Sequence, residues 1–146
     1  VASVYPLQWV PNTHRGHYPH FAKRDAAVWS RWLETYATRW GAFAYDVAVG
    51  GMTLPDVGAS DAERLGWQYM TALKIDACGW TEEAVWIFEV RPEARVSALG
   101  SALGYTLVCE RDKVFDRKLI PAVVCESMQA DVEWCCEQLG VRIFKV

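Results

Sequence analysis

Residues 74–105 read KIDACGWTEEAVWIFEVRPEARVSALGSALGY, and the reading of this stretch decides the fold. Two β-like runs, 72–78 and 84–90, the second rich in β-branched and aromatic residues, flank a polar turn over 79–83,. They read as two strands of a hairpin. With the turn centred near Thr81 and Glu82, Asp76 pairs near Ile87. Side chains on one strand face recur every two residues, so Ile87, Glu89 and Arg91 share a face,. Asp76 then lands beside Glu89 or diagonal to it, and two carboxylates converge from neighbouring strands. Pro92 sits where a helix begins, and that helix is expected to run to about residue 108,. Its stripe is Val96, Leu99, Leu103 and Leu107; Ala98, Gly100, Ala102 and Gly104 are small enough for close approach to a sheet.

Outward on the N-terminal side, Ser60 with Glu63 has the capping-box pattern for a short helix over 60–69,. Residues 52–59 read as a loop, with Asp56 and Asp61 as solvated loop and cap residues. A strand over 43–49 is stopped by Gly50 and Gly51,. Val28, Trp32, Tyr36 and Trp40 recur every four residues, widened by Trp29 and Leu33. That is an amphipathic helix, capped by Asp25 and ended at Gly41. Glu34 faces away from the stripe, as a solvated side chain. Residues 1–21, broken by Pro6, Pro11, Gly16 and Pro19, form an irregular arm,. Its Tyr5, Trp9, Tyr18 and Phe21 are too apolar for a free tail: they dock on the domain or on a neighbouring subunit. His14, His17 and His20 are spaced by three, but Gly16 and Pro19 break the helix on which that spacing would gather a metal,. They read as a polar lead-in.

On the C-terminal side, residues 111–118 are a charged connection and 119–125 a buried parallel strand,. Ser127 caps a helix carrying Val132, Cys135, Cys136 and Leu139, ended by Gly140, and a last strand covers 141–146. Hairpins followed by βαβ crossovers make a mixed sheet with helices on it, in the α/β (α+β) class. Residues 1–21 are the aromatic arm and 22–146 the α/β domain.

The 146 residues fit one domain, and 52% apolar content with 23% charge excludes a disordered chain,. Eight Trp suit a compact core or a partner surface,. A net charge of −3 excludes a globally basic nucleic-acid footprint but allows a local one,. Five Cys, an odd number without CxxC spacing, read as core fillers in a reducing compartment without structural zinc,. With no apolar run of about 18 residues, no membrane association is expected.

The order α-β-β-β-α-β, with Asp76 on the second core strand and Glu89-x-Arg91 on the third, resembles the PD-(D/E)XK nuclease superfamily and its restriction-endonuclease-like core. The resemblance covers roughly residues 25–146. The helix after the acids often carries a pattern like LGQLLLY there; here Leu99, Gly100 and Tyr105 match, and Ser101 stands in place of the Gln. The resemblance implies Asp76 and Glu89 as metal-binding acids, Mg²⁺ as the cofactor of an active site, and Arg91 at the position of the catalytic Lys. Arginine keeps the charge but cannot give up a proton, so Arg91 salt-bridges the acids and the site is vestigial. Small nuclease-fold proteins are similar to some neck and head-completion proteins of tailed phages. That implies a virion structural protein at a head–tail connector, in the host cytoplasm or the virion, with protein partners in a homo-oligomer or larger assembly. The alternative is an active Mg²⁺-dependent DNA endonuclease, whose DNA-facing cations would be Arg91, Arg95, Arg111, Lys113, Arg117 and Lys118. A third reading is a small binding protein in which the Asp76–Glu89–Arg91 cluster is only a core ion-pair network.

Overall fold

The first helix is built around its indoles. A computed structural model describes residues 5–54 and 58–146; Asp56 and residues 1–4 of the arm lie outside them. Helix α1, Lys23–Tyr36, buries Val28, Trp29, Trp32 and Leu33 as one stripe. The cap differs from the expected one. Ala22 occupies the N-cap without a side-chain bond, and Asp25 lies inside the first turn, where its charge favours the helix dipole,. The helix also stops at Tyr36, followed by a 3₁₀ turn over Ala37–Arg39. That tighter turn swings Trp40 into the core, with ring centroids 4.9 Å from Trp32 and 5.2 Å from Trp86,.

The main sheet has six strands: β1 (Val10–Pro11), β2 (Ala42–Val49), β3 (Leu73–Trp80), β4 (Ala84–Val90), β6 (Lys118–Cys125) and β8 (Arg142–Lys145), side by side in that order. The first four run antiparallel; β4, β6 and β8 are parallel. Two short strands, β5 (Glu93–Ala94) and β7 (Ser127–Met128), pair separately. Helix α2 (Asp61–Thr71) links β2 to β3, while α3 (Val96–Arg111) and α4 (Ala130–Leu139) make the parallel crossovers. Among the described residues the architecture is the mixed α/β class expected, with a mixed sheet and four α-helices. One face of the sheet packs Phe43, Ala77, Phe88, Val90 and Val124 against α1. The other packs Val85, Ile87, Val123 and Cys125 under α3 and α4.

The hairpin is longer than the sequence reading placed it. Gly79 lies in β3, not in the turn, because Trp40, Phe43 and Phe88 close over it. A Cβ there would stand 2.8 Å from Trp40, 2.9 Å from Phe88 and 3.1 Å from Phe43. The register shifts accordingly: Ile87 pairs with Cys78, not with the neighbourhood of Asp76. Pro92 precedes β5 rather than starting α3, which begins at Val96 behind an Arg95 N-cap. The α3 stripe is also corrected. Ala98, Leu99, Ala102, Thr106 and Cys109 face inward, while Val96 and Leu107 are 65% and 63% exposed. Small side chains bring the helix axis close to the sheet, and the bulkier flank turns outward. Ser127 lies in β7 and caps nothing; Gln129 is the α4 N-cap, and Leu139 is exposed. Gly140 ends α4 as expected, in the left-handed region at φ 71°,.

The expected Ser60–Glu63 capping box forms, with both reciprocal bonds present. The described part of the arm, residues 5–21, docks on the chain's own domain. Val10 and Pro11 pair with β2, Asn12 Nδ2 donates to the Trp40 carbonyl at 2.6 Å, and Tyr18 and Phe21 are buried against α1. Cys78, Cys109, Cys125 and Cys136 are buried free thiols, and Cys135 is half-buried. Among the described residues, no helix is long and apolar enough to cross a membrane.

Candidate functional site

The acids meet where β3 and β4 part. The β3–β4 ladder ends at the Ala77–Phe88 pair, one residue short of Asp76 and Glu89. The neighbouring β2–β3 ladder skips its Asp46–Asp76 pair, and Asp46 has φ 49°. Across this point the face alternation slips. Tyr45 and Ala77 pack toward α1, whereas Val47 and Ile75, two residues away on each strand, pack on the α3 side. Asp76 is thereby turned toward the gap, and its Oδ2 accepts from the Val90 backbone N–H at 2.9 Å. The carboxylate serves a donor that the broken ladder would leave unpaired.

Glu89 points from β4 to the α3 side and is 1% exposed. Arg91, two residues on, spans the acids. Its Nη2 stands 2.6 Å from Glu89 Oε1 and its Nη1 3.3 Å from Asp76 Oδ2. Nη1 also donates to the Val90 carbonyl at 2.6 Å and lies 4.0 Å from Asp25 Oδ2. The short Glu89–Arg91 contact is an ion pair with misaligned N–H directions: neither Glu89 oxygen receives a directional hydrogen bond,.

The electrostatics follow from burial. Desolvation, then the neighbouring Asp76 charge, push the Glu89 carboxyl up to about 8, against the pull of Arg91,. Burial also raises Asp76, opposed by the Val90 N–H and by Arg91. Two like charges in one half-buried site titrate as a unit, and a single guanidinium does not balance both. From α3, Tyr105 closes the cluster. Its hydroxyl is raised by burial and by Glu89, and Ser101 lies within hydrogen-bonding reach of it.

Asp76, Glu89 and Arg91 thus come together, with Ser101 and Tyr105 beside them. The structure adds two residues that the sequence reading assigned elsewhere. His20, on the arm, donates from Nε2 to the Asp76 carbonyl at 2.9 Å, its ring tilted over Phe21 with centroids 4.1 Å apart. Asp25 is the α1 acid near the cluster, while Glu34 is exposed and takes no part. Asp25 was legible as an acid in the first helix; no signal in the sequence linked His20 to β3. His14 lies against Tyr18 and His17 is exposed, so the three histidines do not converge. Among the described residues, no group of three or more His, Cys, Asp or Glu is arranged to hold a metal ion.

The basic residues do not form one surface. Arg91 and Arg95 lie at the acid end of α3, whereas Lys113, Arg117 and Lys118 follow its far end. The sixteen residues of α3 separate the two groups by about 24 Å at 1.5 Å per residue,.

No protein-family model matches the chain, and no curated protein sequence matches it. Among solved structures, it is similar to a chain of an EndoMS–dsDNA2 complex, at 12% identity and a TM-score of 0.47. The likeness covers 90% of this chain and 48% of that one, so this chain spans about half the length of the chain it matches.

Proposed function

We propose that this domain is a nuclease-like fold in non-catalytic use, in which Arg91 occupies the space between Asp76 and Glu89 that a metal would use. The observation that carries the reading is the position of the guanidinium, 2.6 Å from one acid and 3.3 Å from the other. Mg²⁺ needs carboxylate oxygens at about 2.0–2.1 Å in octahedral geometry. With Arg91 between the acids, these residues do not fit a divalent cation, and a second positive centre there would be repelled. The arginine also lacks the proton exchange available to a lysine. The reading extends to an assembly role in a homo-oligomer or larger complex, of the kind served by neck and head–tail connector proteins of tailed phages. Its support is α2, which buries none of its residues and leaves Leu65, Tyr69 and Met70 50%, 46% and 79% exposed,.

One observation favours a second reading, a Mg²⁺-dependent DNA endonuclease. Both Glu89 oxygens are buried without a hydrogen-bond donor, a state that a bound cation relieves,. The discriminating experiment incubates the purified chain with supercoiled DNA and Mg²⁺ or Mn²⁺. The expected result is intact DNA, together with Mn²⁺ binding that appears only in Arg91→Lys. Metal-dependent nicking by the unaltered chain, abolished in Asp76→Ala and Glu89→Ala, would establish the endonuclease instead. For the assembly role, a chain that sediments as a monomer at every concentration refutes self-association.

A further inference from the structure

The cations at the far end of α3 belong to a different place from the acid cluster. Trp80 ends β3, and the 112–117 loop leads from α3 into β6. Together they form a groove at the N-terminal ends of parallel strands β4 and β6, while Glu89 and Arg91 lie at the C-terminal end of β4. We infer that this groove binds single-stranded nucleic acid, with bases stacked on its aromatic and guanidinium planes and phosphates held by Lys113 and Lys118.

The walls have the required chemistry. A cavity of about 590 Å³ is lined by Trp9, Trp80, Phe115, Lys113 and Arg117. It adjoins a second of about 430 Å³, which shares Lys113, Phe115 and Arg117 and adds Lys118. Either volume takes a nucleotide-sized group, and two in series suit consecutive units of a strand. One wall is layered. The Trp80 ring lies against Gly41, where a Cβ would stand 2.8 Å away, and the Arg117 guanidinium covers it with Cζ 4.9 Å from the ring centroid. Arg117 is anchored further by donating to the Glu82 carbonyl. The outermost surface of this wall is therefore a planar cation fixed on an indole, suited to stacking a base. The opposite wall is Trp9 against Phe115, edge to face with centroids 6.2 Å apart.

These aromatic residues are only half-buried, unlike the fully buried Trp29 and Trp32 of the core. Lys113 and Lys118 are exposed and have no acidic partner among the described residues. The acids nearby are Asp116, 94% exposed and 3.7 Å from Arg117, Glu110 on the rim, Asp112, which is paired with Arg111, and the turn residues Glu82 and Glu83. Among the lining residues the cations Lys113, Arg117 and Lys118 outnumber the acids Asp116 and Glu110, and the two lysines are available to a phosphate backbone. An uncharged aromatic ligand would leave both lysines unused, and a duplex would hide its base faces.

Fluorescence anisotropy of a labelled twelve-residue oligothymidylate, with the full chain at low salt and no divalent cation, tests the inference. Binding is expected to weaken with salt, by a slope of about −0.7 for each phosphate neutralised. Lys113→Glu with Lys118→Glu should weaken binding at least tenfold and flatten that slope. Phe115→Ala should weaken it while the slope is kept, and Arg39→Ala, a charge control elsewhere on the surface, should leave it unchanged. Circular dichroism of each variant separates loss of binding from loss of fold, and the two lysines are exposed enough to be replaced without unfolding. Absence of binding overturns the inference. So does equal affinity for a duplex or for thymidine monophosphate, equal loss in Arg39→Ala, or undiminished binding by the double lysine variant.

Discussion

Replacing Glu89 with Gln should abolish the loss of stability toward alkaline pH that Glu89 imposes,. Glu89 is 1% exposed, and its carboxyl is raised from 4.5 to about 8 by burial and by Asp76. Between those values the folded chain holds a proton that the unfolded chain releases. Folding therefore loses stability as pH rises through this window, and regains it as pH falls. The window spans roughly three and a half pH units at about 1.4 kcal/mol each, so the loss approaches about 5 kcal/mol by pH 8,. Glutamine keeps the shape and presents an oxygen to Arg91, but it cannot ionise. Urea unfolding at pH 5.0, 6.5 and 8.5 measures the difference. At pH 5.0 the two proteins should be similar. At pH 8.5 Glu89→Gln should be the more stable by about 3–5 kcal/mol, a midpoint shift of about 2 M at a typical urea slope of about 2 kcal/mol per molar. Midpoints that run parallel across the three pH values would refute the reasoning, as would a wild type that gains on the variant toward alkaline pH.

Further outcomes follow from packing and caps. Gly79→Ala pushes a methyl into three aromatic rings, and overpacking of this kind should cost about 1–3 kcal/mol in chemical denaturation,. Trp32→Ala empties a fully buried site between Trp40, Phe88 and Phe144 and should cost about 3–5 kcal/mol, read the same way,. Ser60→Ala removes one half of the capping box and should destabilise α2 by about 1 kcal/mol,. Because α2 buries nothing, hydrogen exchange should show that loss in α2 amides and not in the sheet,.

Periodicity was enough for the elements whose burial is one-sided and continuous. Four-residue spacing located α1, the apolar run 119–125 located β6, and Ser60 with Glu63 located the start of α2. The two-residue spacing of Glu89 and Arg91, with an acid on the preceding strand, was likewise enough to bring three site residues together. These features are legible because they depend on neighbours within a few positions. What escaped depends on contacts that no local pattern records. Gly79 reads as a turn residue until Trp40, Phe43 and Phe88 are seen to require its missing Cβ. The α3 stripe reads as leucine-led until the close approach of the helix to the sheet favours its alanines. His20 reads as loop polarity until the arm folds back and sets its ring against Asp76. Sequence alone determined that Asp76, Glu89 and Arg91 share the β3–β4 junction. The tertiary structure decided that Arg91 faces both acids, that Glu89 is buried beyond reach of water, and that Lys113, Arg117 and Lys118 lie a helix length away. Distance through space and access to solvent are set by packing, and chain order carries neither.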